Sequence, residues 1–149
     1  NDFVLCWDMD LLPRKSSPSI LPDLDLNKVN LCVDSIFYTK TIEVPPILPF
    51  RYNCGLIGIP KSYKPMIEEV FSEAKTSKLP LYEQYPMNFR LSRNDFMDVH
   101  ELNKEWNCIY HLPGKNSFIK SAKCIHYTGD VVVDVRERLI QDHHKLYFS

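Results

Sequence analysis

The chain has 149 residues, with 18 lysines and arginines against 19 aspartates and glutamates and a formal net charge of -1. That balance excludes a nucleic-acid or membrane partner held by bulk electrostatics. No apolar run reaches the length of a membrane span, and no basic-then-apolar leader opens the chain, so neither a transmembrane segment nor a signal peptide is expected.

The length fits one domain over 1–149 with a real core. Five cysteines form an odd set with no close pair. Cys6, Cys54 and Cys124 sit in apolar, strand-like runs, which predicts buried free thiols in a reducing compartment and hence a cytoplasmic location. No paired ligand spacing points to zinc. Eleven prolines predict much loop.

Phe3 to Trp7 is a short apolar run that reads as a strand buried on both faces. It ends in Asp8-Met9-Asp10. Two carboxylates at the mouth of a buried strand are costly unless a cation sits between them, and regular strand geometry would turn both to one side. The stretch alone leaves open a pair of solvated loop acids.

Leu11 to Leu26, with three prolines, reads as loop. Val29 to Tyr38 is rich in Val, Ile, Phe and Tyr and predicts a strand. Val44 to Pro49 is an extended connector, because its prolines remove ladder donors. Arg51 to Pro60 is a buried strand in which Gly55 and Gly58 suggest close approach of backbone or ligand, a bulge or tight packing.

Ser62 is placed to cap a helix whose apolar residues run from Tyr63 through Ile67 and Val70 to Ala74. A second helix is expected over Leu81 to Ser92, weakened or interrupted by Pro86, with Gln84 and Asn88 on one face. Phe96 to Leu102 reads as a short strand, followed by Trp106 and Asn107. Pro113 to Asn116 is a turn. Ala122 to His126 is the last strand, and Val131 to Leu146 fits a helix begun by Asp130.

Together these stretches resemble the retaining sugar-nucleotide glycosyltransferases that include glycogenin and the bacterial lipooligosaccharide galactosyltransferases. Asp8-Met9-Asp10 is similar to the family's Asp-X-Asp. Tyr52-Asn53-Cys54-Gly55-Leu56-Ile57 is similar to its Asn-Ser/Ala-Gly strand, and Glu83-Gln84-Tyr85-Pro86-Met87-Asn88 to Asp-Gln-X-X-Leu-Asn. Trp106-Asn107 and His126-Tyr127-Thr128-Gly129 match its later Trp-Asn and His-X-X-Gly.

The resemblance implies an α/β fold of the glycosyltransferase-A type, a mixed sheet with flanking helices. It implies a metal site of Asp8, Asp10 and His126 for Mn²⁺ or Mg²⁺, which bridges the diphosphate of a nucleotide-sugar donor such as a UDP-sugar. It also implies Gln84 near the anomeric carbon as the catalytic residue. Asn53, Gly55, Glu83, Asn88 and Gly129 would contact substrate, and the acceptor is a carbohydrate or other hydroxyl, on a sugar or a protein.

Two departures qualify this. The family's Lys-Pro-Trp after His-X-X-Gly reads Val131-Val132-Val133 here, with Lys120, Lys123 or Arg136 as substitutes for its diphosphate-binding lysine. The family also carries a nucleotide-binding βαβ region before Asp-X-Asp. The expectation is therefore a C-terminal portion of such a domain, which binds sugar nucleotide poorly by itself and exposes a sheet edge open to association.

Two other readings compete. Haloacid-dehalogenase phosphatases also open with a strand and Asp-X-Asp, with Asp8 as nucleophile and Gly129-Asp130 to Asp134 completing a Mg²⁺ site. The alternative from a different class is a catalytically inert binding or assembly module.

Overall fold

The fold is given by a computed structural model that describes residues 2–34, 51–76, 83–109 and 121–127. The expected end of the second strand, the 44–49 connector, the 113–116 turn, Gly129 and the final helix lie outside the described residues.

Four strands make the main sheet: β1 (Phe3–Trp7), β3 (Val29–Val33), β4 (Tyr52–Pro60) and β5 (Val99–Leu102), in the order β1-β4-β3-β5. β4 is antiparallel to β1 and to β3, and β5 is parallel to β3. So β1, β3 and β5 point the same way, and their C-terminal ends share one edge of the sheet with the start of β4. A smaller sheet joins β2 (Leu11–Pro13), β7 (Cys124–His126) and β6 (Cys108–Ile109), with β7 in the middle.

β4 is the longest wholly buried element among the described residues, with all nine residues inside. Its continuous apolar run needs cover on both faces, and it has it. On one face α1 (Lys64–Thr76) and α2 (Gln84–Ser92) bring Ile67, Val70, Met87 and Leu91 against Tyr52, Cys54, Ile57 and Ile59. On the other, Leu56 packs with Leu11, Cys124, Leu102 and Trp106. Each large aliphatic buried this way contributes about 1.5–3 kcal/mol before the entropy of ordering it.

Several local expectations are corrected. β1 is an edge strand among the described residues, half-buried, with Val4 exposed, whereas the apolar run suggested cover on both faces. Ser62 caps nothing: it lies inside a 3₁₀ turn, Lys61–Tyr63, that leads into α1. Pro86 does not interrupt α2, because it occupies the first turn, where its missing N–H has no helical acceptor. β5 begins at Val99, since Asp95 and Phe96 take left-handed backbone angles and turn the chain first.

All five cysteines are free thiols, and four of them are buried. Burial pushes the Cys108 and Cys124 thiols up to about 11 and about 12, which makes them inert packing groups. Among the described residues, no helix is long and apolar enough to cross a membrane.

Candidate metal and sugar site

The site forms where the C-terminal ends of β1 and β3 meet the start of β4 and the end of β7. After Trp7 the chain leaves the strand in a turn closed by Leu11 N–H donating to Asp8 O (3.1 Å). The Trp7 indole N–H reaches Leu11 O and staples the same turn. Asp8 N–H still bonds Gly55 O (2.9 Å), and Tyr127 N–H bonds Asp10 O (3.0 Å), so both acids are tied to the strands beside them. The acids converge through this turn, and strand alternation plays no part. Met9 between them is 98% exposed.

His126 ends β7, paired with Leu11 on one side and Ile109 on the other. Its ring is buried, with Nε2 3.2 Å from Asp10 Oδ1 and 3.6 Å from Asp8 Oδ2. The ligand atoms of the three residues lie within 4.8 Å of one another. Ligands of a small divalent ion with bonds of about 2.1 Å sit about 3 Å apart along octahedral edges, a separation that His126 and Asp10 meet and His126 and Asp8 approach. Two carboxylates and one imidazole are a donor set that a divalent cation can use.

Burial and mutual charge act on the two kinds of ligand in opposite directions. Burial holds the His126 pKa below its usual value, against the pull of Asp10 and Asp8. Desolvation raises the Asp8 carboxyl, the His126 interaction opposes that, and the Asp10 charge adds to it.

Gly55 makes room for the imidazole. A Cβ there would stand 2.3 Å from His126 Cε1, 2.8 Å from its Nδ1 and 3.0 Å from Asn53 Oδ1. Of the readings left open at Gly55, the structure shows tight packing, here against the histidine ring. At Gly58 the crowding groups are Phe3 and Asn30.

Behind the imidazole runs a buried set of carboxamides. His126 Nδ1 is 2.8 Å from Asn107 Oδ1, and Asn107 Nδ2 donates to Asn53 Oδ1 (2.7 Å). Asn53 Nδ2 donates to Gln84 Oε1 (3.2 Å) and reaches Asp34 Oδ2 (3.4 Å). Gln84 Nε2 donates to the same Asp34 oxygen (3.2 Å). Gln84 and Asn53 therefore meet at one point and join, through Asn107, to the histidine.

Asn88 has a different position. It is fully buried, accepts from Tyr52 N–H (2.8 Å), and donates to Tyr52 O and Gln84 O (2.8 Å each). Those bonds lock α2 to β4. Glu83 is half-buried just before α2, where its carbonyl accepts from Met87 N–H. Trp106 and Lys123 are committed elsewhere: the indole N–H (2.7 Å) and the ammonium (3.0 Å) both bond Asp23 Oδ2, with Lys123 Nζ 4.6 Å from the Trp106 ring centroid. Lys120 and Arg136 lie outside the described residues.

Sequence reasoning missed Asp34. It follows β3 as Asp8 follows β1, at the same edge of the sheet, and it is nearly buried. Its signal was an acid directly after the apolar run 29–33, hidden because the run of Ile, Phe and Tyr beyond it reads as more strand.

Comparison with known structures identifies the architecture. The chain is similar to the galactosyltransferase LgtC, solved in complex with donor and acceptor sugar analogs: TM-score 0.59, 19% identity, covering 99% of this chain and 62% of that one. It is also similar to a glycosyltransferase involved in the glycosylation of the major capsid of PBCV-1, with TM-score 0.68, 15% identity, and 95% and 67% coverage. The fold is that of a glycosyltransferase of the A type.

The glycosyltransferase GlyE of Streptococcus pneumoniae TIGR4 shares this architecture (TM-score 0.56, 18% identity, 87% and 34% coverage). The chain thus spans about two thirds of the length of the first two structures and one third of the last. No protein-family model and no curated protein matches it in sequence. Within the glycosyltransferase fold, the Asp8, Asp10 and His126 group lies at the C-terminal edge of the main sheet, where open α/β sheets bind their ligands.

Proposed function

We propose that this chain is the metal- and sugar-binding portion of a glycosyltransferase that moves a hexose from a nucleotide-diphosphate sugar, a UDP-sugar, to a hydroxyl acceptor on a carbohydrate or protein. The observation that carries this reading is the convergence of the Asp8 and Asp10 pair with His126, from two distant places in the chain, at the C-terminal edge of the main sheet.

A Mn²⁺ or Mg²⁺ ion bound there supplies charge neutralisation for a diphosphate leaving group. Half-exposed Asp8 and Asp10 would hold it by their carboxylates and buried His126 by Nε2. Gln84 is the residue proposed to face the anomeric carbon, its carboxamide held by Asn53 and Asp34. Asn53, Gly55 and Glu83 are the residues proposed to contact the sugar, as is Gly129, which lies outside the described residues. The free thiols support a cytoplasmic location. The phosphatase reading gives His126 no role and does not account for the fold.

Lys123 is engaged by Asp23, which supports a weak hold on the diphosphate by this chain alone. Calorimetry is expected to detect Mn²⁺ binding and UDP-glucose binding weaker than micromolar. The full-length protein is expected to hydrolyse UDP-glucose in a Mn²⁺-dependent way, and Asp8→Asn and Asp10→Asn to abolish it. Mg²⁺-dependent phosphate release from p-nitrophenyl phosphate, or no metal binding at all, would overturn the proposal.

A further inference from the structure

The buried carboxamides behind His126 form a chain whose direction can be worked out from one end. Backbone N–H groups only donate. Gly55 N–H lies 2.9 Å from Asn53 Oδ1, which makes that atom the oxygen. Cys54 N–H lies 3.3 Å from Gln84 Oε1, which makes that atom the oxygen too. Neither carboxamide is free to flip.

The rest follows by exclusion. Asn53 Oδ1 is an acceptor, so the Asn107 atom 2.7 Å from it must be the NH₂ group. Asn107 then turns its oxygen toward His126 Nδ1 at 2.8 Å, and that oxygen only accepts. His126 Nδ1 must therefore carry a hydrogen, and in the neutral ring the Nε2 lone pair then faces Asp8 and Asp10.

We infer that Asn107 is a positioning residue that fixes His126 as the Nδ1–H tautomer and so makes Nε2 a metal ligand, with Asn53 serving the metal site and the sugar pocket at once. Asn107 is 2% exposed and so has no direct path to a substrate. Ligating histidines are generally held by an acceptor on their second nitrogen, and losing that partner weakens metal binding by about 10- to 100-fold. The usual partner is a carboxylate, a carbonyl or water. A carboxamide serves only if something dictates its orientation, which here is the pair of backbone amides at Cys54 and Gly55.

The same chain joins His126 to Gln84 through Asn53. The Asn53 oxygen accepts from Gly55 N–H and Asn107, while its NH₂ group serves Gln84 and Asp34. A rotation of Asn53 would leave donors facing donors on one side and acceptors facing acceptors on the other. The metal ligand and the residue proposed at the anomeric carbon thus share one hydrogen-bonded support.

This inference rests on the metal reading of the site, and the test separates the two. The chain labelled with ¹⁵N-histidine is examined by ring ¹H–¹⁵N correlation without metal at pH 8, the His126 signal being assigned by its loss in His126→Gln. Mn²⁺ affinity is measured in parallel by calorimetry. The wild-type ring is expected as Nδ1–H, and Asn107→Leu is expected to shift it toward Nε2–H and weaken Mn²⁺ binding at least tenfold.

Asn107→Asp, which keeps an acceptor beside Nδ1 and gives up the NH₂ group that faces Asn53 Oδ1, is expected to retain Nδ1–H, and it decides the matter if the leucine variant does not fold. A wild-type ring with Nε2–H, an Asn107→Leu ring still wholly Nδ1–H, or an Asn107→Asp ring with Nε2–H overturns the inference. A wild-type ring with Nδ1–H that takes up no Mn²⁺ instead overturns the metal reading and leaves the fixing of the ring by Asn107 standing.

Discussion

Gly55→Ala places one methyl group where the structure has no space for it. The new Cβ would stand 2.3 Å from His126 Cε1 and 2.8 Å from Nδ1. Ordinary carbon–carbon contacts are about 3.5 Å or longer, so the ring must retreat by about 1 Å. Cε1 lies between the two ring nitrogens, so a push on it moves both. The Nδ1 contact to Asn107 stretches from 2.8 Å beyond hydrogen-bond range, and Nε2 leaves its place 3.2 Å from Asp10 Oδ1.

Losing both the support and the position of one ligand is expected to weaken Mn²⁺ binding by about 10- to 100-fold, which is about 1.4–2.7 kcal/mol. Overpacking adds a stability cost of about 1–3 kcal/mol. Gly58→Ala separates the two effects. Its Cβ would press on Phe3 Cζ at 2.7 Å and Asn30 Cβ at 2.9 Å, neither of them a candidate metal ligand. It should lose stability and keep its affinity for Mn²⁺. Calorimetric titration with Mn²⁺ and urea melts on both variants give the comparison. A Gly55→Ala protein that binds Mn²⁺ within twofold of wild type, or a Gly58→Ala protein that loses affinity equally, would refute the steric argument.

Mn²⁺ affinity should be level above pH 6.5 and fall between pH 6.5 and 3.8, because burial brings the His126 pKa down from 6.5 and desolvation raises Asp8 above 3.8; titrations that show unchanged affinity down to pH 4 would contradict this. Asn88→Ala should destabilise the fold by about 3 kcal/mol in urea, since it leaves Tyr52 N–H and Tyr52 O unpaired inside and removes a second donor from Gln84 O; a loss under about 1 kcal/mol would mean that water replaces the carboxamide. Bonds from Trp106 and Lys123 hold the Asp23 carboxyl below its usual range. The stability it contributes is therefore present above pH 3.8 and lost as pH falls through the lower, folded value. Trp106→Phe should cost more at pH 7 than at pH 3, and an equal penalty at both would show that the indole acts by packing alone.

Different parts of the molecule were legible in the sequence to different degrees, and the reasons are physical. β4 was plain, because nine consecutive buried residues leave a continuous apolar run. α1 was plain on its inner face, where Ile67 and Val70 recur at helical spacing, but its start was not, since a 3₁₀ turn and an α-helical first turn use the same residues. β1 misled. A run of five apolar residues suggested cover on both faces, whereas the strand is only half-buried and Val4 is exposed. For the site, the types and order of Asp8, Asp10, Gln84 and His126 were recognisable by resemblance, while their convergence depends on the turn at 8–11 and on β7 entering between β2 and β6.

What no residue pattern could supply is the polarity of the support behind the metal ligands. An asparagine reads the same in sequence whichever way its carboxamide points, and a histidine the same in either tautomer. Direction enters here from the main chain, through two N–H groups at Cys54 and Gly55 that can only donate. Gly55 therefore acts twice: its missing side chain admits the imidazole, and its amide sets the orientation of Asn53 and, through Asn107, of the ring itself. A position that reads as a weak hint of close packing is thus where the backbone imposes its chemistry on the site.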